Sequence, residues 1–224
     1  MMDLAGYGPQ LLQGAALTLE LAFTSLAVGL SLGLLAAAAK LSPLPWLSVP
    51  VTIITNLLRG IPEFVILLIC YFGVTRLLWS LTGGVVQISP FAGAVFALGV
   101  VFAAYSSEML RGAFLAVPRG QLEAARAFGM SPRLAFFRVH LPQAWRLALP
   151  SLNNQWQNLL KDTSLVSVLG LEELMRKASI GAQVTRQPFT FFLAAALIYL
   201  VFLGVSNPVF ALLERRARRG MARP

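Results

Sequence analysis

The sequence predicts an all-α integral membrane protein, a single domain over residues 1–224 crossing the bilayer five times. Three observations predict this. Apolar residues make up 57% of the chain and charged residues only 12%, against ~25% charged in soluble proteins. The mean hydropathy is +0.73. Apolar stretches of crossing length recur along the chain, a bilayer core of ~30 Å taking ~20 helical residues. An ordinary soluble globule, a disordered chain and a disulfide scaffold are thereby excluded. Cys70 and His140 are the single Cys and single His, so neither an internal disulfide nor a His/Cys zinc cluster can form, and no metal site is expected.

The spans follow in order. Leu11 to Ala39 is interrupted only by Gln13, Glu20 and small residues. The ten residues before it carry no Lys or Arg, hence no basic signal-peptide region, and are expected to stay in the mature protein. Thr52 to Trp79 is the second span and includes Arg59, Pro62 and Glu63. Pro90 to Leu110 is the third. The fourth, residues 143–170, is too polar for a hydropathy scan but amphipathic on a helical wheel. Asn153, Asn154, Gln157, Lys161 and Ser164 share one face, and Leu149, Leu152, Trp156, Leu159 and Leu160 the other. A polar stripe in a membrane must face protein or a wet cavity. Phe189 to Leu213 is the fifth span and runs into a basic cluster.

Charge orients the bundle. With the N-terminus outside, the inside segments hold twelve positive residues: Lys40, six arginines over 111–146, and Arg215, Arg216, Arg218, Arg219 and Arg223. The outside segments hold four, Lys161, Arg176, Lys177 and Arg186. Cytoplasmic loops collect Lys and Arg, which predicts a periplasmic N-terminus and a cytoplasmic C-terminus. The net charge of +9 is therefore topological, with the tail arginines anchoring to anionic lipid rather than to nucleic acid.

The inside loop 119–142 carries the most information. Pro118 precedes a helix-friendly run that ends at Gly129, and Ser131-Pro132 starts a second short helix that Pro142 closes. Ala124, Ala125 and Phe128 are available on the first helix, and Leu134, Phe137 and Leu141 share a face of the second. Apolar knobs with basic flanks suit either a docking surface for another protein or an amphipathic hairpin on the membrane. His140 reads as a surface residue of this loop. There is no G-x4-G-K-[ST] phosphate loop, so a nucleotide motor would have to be another polypeptide, and a single His leaves no credible nucleophile system.

Glu123-Ala124-Ala125, three residues, Gly129, nine residues, then Val139-His140-Leu141-Pro142 resembles the EAA loop of binding-protein-dependent ABC importer permeases, E-A-A-x3-G-x9-I-x-L-P, with Val139 in place of Ile. Arg59-Gly60-Ile61-Pro62, Tyr105-Ser106-Ser107-Glu108 with Arg111-Gly112, and Gly120-Gln121 look like the polar amino acid subfamily. The order of these motifs is similar to the permeases of histidine/lysine/arginine/ornithine and opine importers. The resemblance implies the type I importer permease fold. It implies that Glu123, Ala124, Ala125, Gly129, Leu134, Phe137, Leu141 and Pro142 couple to a cytoplasmic ATPase dimer, which holds ATP and Mg and drives alternating access. It implies a second homologous permease subunit in a heterodimer, a periplasmic substrate-binding protein, an amino acid substrate and a place in the inner membrane. It also implies that the chain is a transport subunit and not an enzyme.

Ionisable residues inside spans are candidates for the solute path. On the second span Asn56, Arg59, Glu63 and Cys70 fall to one side of a wheel, and Glu63 lies near mid-membrane, roughly 18–20 Å from the inner end. A buried carboxylate suits a cationic amino acid. The alternative for Arg59 and Glu63, four residues apart, is a structural ion pair. Glu20, Asn153, Asn154, Gln157 and Lys161 complete the candidates, Lys161-Asp162 also reading as an outer gate or binding-protein contact. Glu108 and Arg111 read as a salt bridge at headgroup level. A competing reading is an autonomous secondary carrier without an ATPase, which would have no need of the 119–142 pattern.

Overall fold

The computed structural model describes residues 4, 6–83, 85 and 88–218. Most of the first five residues, and Arg219 and Arg223 of the basic tail, lie outside the described residues. Among the described residues nine α-helices follow one another. They are α1 Gly8–Leu41, α2 Pro45–Gly60, α3 Glu63–Thr82, α4 Pro90–Leu115, α5 Arg119–Ala127, α6 Pro132–Ala135, α7 Leu141–Asp162, α8 Leu174–Thr185 and α9 Pro188–Ala217. A π-helical turn, Phe136–His140, joins α6 to α7, and a 3-10 turn, Thr163–Leu169, continues α7. Helices α1, α3, α4 and α9 are long and apolar enough to cross a membrane. The amphipathic α7 is too polar to count by composition.

Proline sets most boundaries. The expected second span, Thr52 to Trp79, is two helices instead. Ile61, which precedes Pro62, is extended at φ −102°, ψ 141°. Proline's ring excludes the helical conformation from the residue before it, so α2 stops there and α3 restarts at Glu63. Gly83, at φ 62°, ends α3 in the left-handed conformation. Ser89 caps α4 by accepting the Ala92 N–H at 3.2 Å.

The two loop helices form as expected up to Ser131, whose hydroxyl accepts the Leu134 N–H at 3.3 Å. The far end differs. Pro142 lies inside a helix rather than past one, because α6, the π turn and α7 form one unbroken rod from Pro132 to Asp162. In a regular α-turn the Pro142 ring would meet the carbonyl four residues back. The wider turn before it, closed by Leu141 N–H to Phe136 O, accommodates that ring.

The main core gathers Leu21 and Ala22 of α1, Leu67 of α3, Ala94, Ala97, Leu98 and Phe102 of α4, and Leu152, Trp156, Leu159 and Leu160 of α7. A second core joins Leu11 and Ala15 to α8 and α9 through Leu174, Ala178, Phe191 and Ala195. Helices α1 and α4 touch along their length because of glycine. A Cβ on Gly29 would lie 2.8 Å from Phe102 Cβ and 2.9 Å from the Gly99 carbonyl oxygen, too close for any side chain. The polar edge of α7 is tied to α9, Trp156 Nε1 donating to Ser206 Oγ at 2.9 Å and Gln157 Nε2 to Asn207 Oδ1 at 2.9 Å.

Candidate functional site

The break at Ile61–Pro62 puts Glu63 in the first turn of α3, where unpaired backbone N–H groups and the helix dipole favour a carboxylate. Tyr105 of α4 donates its hydroxyl to Glu63 Oε1 at 2.9 Å. The Arg59 guanidinium sits over the other side of that residue, 5.6 Å from the Tyr105 ring centre. Arg59 and Glu63 are therefore on different helices, and each spends itself on Tyr105; no ion pair between them occurs among the described residues.

Glu63 and Tyr105 open onto a cavity of about 210 Å3 whose opposite wall is α7, through Gln155, Asn158 and Asp162. These three recur at i, i+3 and i+7, one face of a helix. Leu98, Phe102 and Leu159 close the cavity on its apolar side. One water occupies about 30 Å3 in the liquid, so the space suits a small solute. Two carboxylates, an amide pair and a phenol converge there, an acceptor-rich wall for an ammonium or guanidinium.

The remaining sequence candidates lie elsewhere. Glu20, Asn56, Asn154 and Lys161 are exposed and do not line this cavity. Gln157 bonds Asn207, with Asn153 Oδ1 at 3.4 Å as a weaker acceptor. Tyr105, Gln155, Asn158 and Asp162 are the lining residues that the sequence reading did not single out as the path. The 155/158/162 spacing was the available signal, and only contact with α3 and α4 selects that face over its neighbour.

In the 119–142 loop, Glu123 and Ala124 are exposed and Ala125 is buried. Gly129 takes φ 79°, which lets its N–H reach Arg126 O at 2.9 Å and the Met130 N–H reach Ala125 O at 3.1 Å. Two of the carbonyls left open at the end of α5 are satisfied by this turn. Leu134, Phe136 and Phe137 are exposed, with Leu141 and Pro142 half-buried. Phe114, at the end of α4, stacks on Phe136 at 6.0 Å.

Two polar nodes brace the bundle. Lys40 of α1 is buried, its ammonium donating to Ser107 Oγ at 3.0 Å and Glu108 Oε2 at 3.2 Å, while Arg111 pairs with the other side of Glu108. The expected Glu108–Arg111 bridge thus has a third, buried member. At the far end, Glu173 is fully buried and caps α8, accepting from Met175 N and Arg176 N at 2.8 Å each. Burial pushes its carboxyl up to about 7. The neighbouring Glu172 is held below the ordinary carboxylate range by Lys177. Among the described residues no three His, Cys, Asp or Glu side chains converge as metal ligands.

The sequence pattern that defines the binding-protein-dependent transport system inner membrane components matches residues 29–219. The chain belongs to that family. It is 44% identical to the octopine transport system permease protein OccQ of Rhizobium radiobacter, over 97% of this chain and 94% of the relative. It is 41% identical to the histidine/lysine/arginine/ornithine transport system permease protein HisQ of Salmonella typhimurium, over 98% of each. Among solved structures, the crystal structure of an amino acid ABC transporter with histidines matches at a TM-score of 0.83, with 33% identity over 95% of this chain and 96% of that one. This family member is thus a multi-pass permease subunit of an importer in the inner membrane, and ATP hydrolysis belongs to a separate ATPase.

Proposed function

We propose that this permease subunit moves a cationic amino acid or opine through the cavity between α3, α4 and α7. The observation that carries the reading is the pairing of Glu63 and Asp162 across one small cavity. A solute bearing one ammonium or guanidinium beyond its zwitterion is favoured there, since each charge-assisted hydrogen bond is about twice as strong as a neutral one. Octopine and basic amino acids, named for the relatives above, fit this chemistry.

In this reading α7 is the fourth of five spans, the N-terminus is periplasmic and the C-terminus cytoplasmic. The exposed Glu123 face of α5 and the exposed Leu134 and Phe137 of the second arm seat on a cytoplasmic ATPase dimer, which carries ATP and Mg. A second, homologous permease completes the pathway, and a periplasmic binding protein delivers the solute. The continuous helical path from Pro132 to Asp162, which runs through Pro150, supports the coupling, because it joins the loop to the cavity wall. Rocking of α7 against its neighbours gives alternating access.

The test is uptake by the assembled transporter in proteoliposomes. Glu63→Gln and Asp162→Asn should each lower uptake of arginine or octopine at least tenfold while changing uptake of glutamine less than threefold. Equal losses for charged and neutral solutes would remove the carboxylates from recognition.

A further inference from the structure

His140 is half-buried and is not a loop surface residue. Its Nε2 lies 3.0 Å from the carbonyl oxygen of Phe114. A carbonyl only accepts, so Nε2 carries the proton and donates. Phe114 is in the last turn of α4, and its carbonyl, which also accepts the Val117 N–H at 3.4 Å, has a second lone pair for His140. Aromatic rings reinforce the contact. The Phe114 ring meets the His140 ring edge-on at 5.2 Å, and Phe136 packs edge-on against His140 at 5.9 Å. Phe136 and His140 are the first and last residues of the π turn, so the wide turn that accommodates Pro142 also sets His140 against α4.

This contact joins two elements that both reach the cavity. Helix α4 carries Tyr105, and the rod continuing from His140 carries Gln155, Asn158 and Asp162. We infer that His140 is a positioning residue for transport: its hydrogen bond to Phe114 clasps the lever arm to α4, so that movement of the loop carries both cavity walls together. Without the clasp the loop still docks, but part of its motion is lost in the joint between the π turn and α4. The inference rests on the coupling role proposed for residues 119–142.

The experiment uses the complete transporter with its ATPase and binding protein in proteoliposomes. Uptake and ATP hydrolysis are measured together for His140→Leu, His140→Gln and His140→Asn. Leucine keeps bulk and loses the donor. Glutamine places an N–H where Nε2 stands, whereas asparagine is too short. We expect ATP hydrolysis within about twofold of wild type in all three. Uptake per ATP should fall about fivefold in the Leu and Asn variants, the factor that goes with one hydrogen bond, and return in the Gln variant. Unchanged uptake per ATP in His140→Leu overturns the inference. Equal loss in the Leu and Gln variants, or failure of both to assemble, also overturns it by assigning His140 to packing alone. Glu123→Lys, measured alongside, separates the two readings. If it uncouples while His140→Leu does not, the clasp alone fails. If neither has an effect, the coupling role of the loop fails with it.

Discussion

Gly129 offers the sharpest test of how the loop works, because the structure separates its conformation from its surroundings. A Cβ at Gly129 would meet nothing within 4 Å, so a substitution there acts through the backbone alone. The residue sits at φ 79°. An L-residue in that region costs roughly 1–2 kcal/mol, and asparagine less. Proline fixes φ at about −65°, cannot adopt the turn, and deletes the N–H that reaches Arg126 O at 2.9 Å. If the turned loop is what the ATPase grips, apparent affinity falls by the fraction of loops still turned. Gly129→Ala should then weaken ATPase binding roughly 5–30-fold, Gly129→Asn about twofold to threefold, and Gly129→Pro beyond measurement. The assay is titration of the detergent-solubilised permease with purified ATPase, with uptake measured in parallel and membrane insertion checked by quantity. Normal uptake by the proline variant, or an alanine variant no weaker than asparagine, refutes the reasoning.

Three further outcomes concern stability. Gly29→Ala should destabilise by about 1–3 kcal/mol, because the new methyl meets Phe102 Cβ and the Gly99 carbonyl, neither of which can swing away. Gly204→Ala, in open space on α9, should gain up to about 1 kcal/mol, and thermal unfolding followed by tryptophan fluorescence separates the two. Glu173 keeps its proton to about pH 7 when folded, against an ordinary value of 4.5. Between those values the folded state binds more protons, so its contribution is fully present below about 4.5 and is lost as pH rises through about 7. Glu173→Gln, always neutral and able to accept one capping N–H, should therefore overtake wild type in unfolding temperature between pH 6 and 8.5, by no more than the equivalent of about 3–4 kcal/mol. A wild-type advantage that grows with pH would reverse the argument.

Much of the architecture was legible because it follows from local rules. Apolar length marked α1, α4 and α9, and the Ser131-Pro132 and Gly129 signals marked the loop's two arms. The wheel of α7 correctly separated Leu149, Leu152, Trp156, Leu159 and Leu160, all buried. What escaped depends on neighbours. Pro62 could kink a helix or end it, and the outcome decides whether Arg59 and Glu63 meet each other or Tyr105. On a wheel α7 offers two polar faces, Asn153 with Gln157 on one and Gln155, Asn158 and Asp162 about 100–180° round from them. Tertiary contact alone assigns them: the first meets α9 through Gln157 and Asn207, the second lines the cavity with Glu63. Pro142 reads as a helix end by rule, and no local rule foretells a π turn that carries the helix past it.

The unbroken stretch from Pro132 to Asp162 has a consequence for what this segment can tolerate. Along an α-helix each residue advances the direction of a side chain by about 100°. Inserting or removing one residue between Leu141 and Gln155 would leave residues 119–140 untouched and swing Asn158 and Asp162 about a quarter turn away from Glu63. The number of residues between the two ends is therefore as constrained as the buried Ala148, Leu149 and Leu152 among them: here distance along the chain serves as angular information.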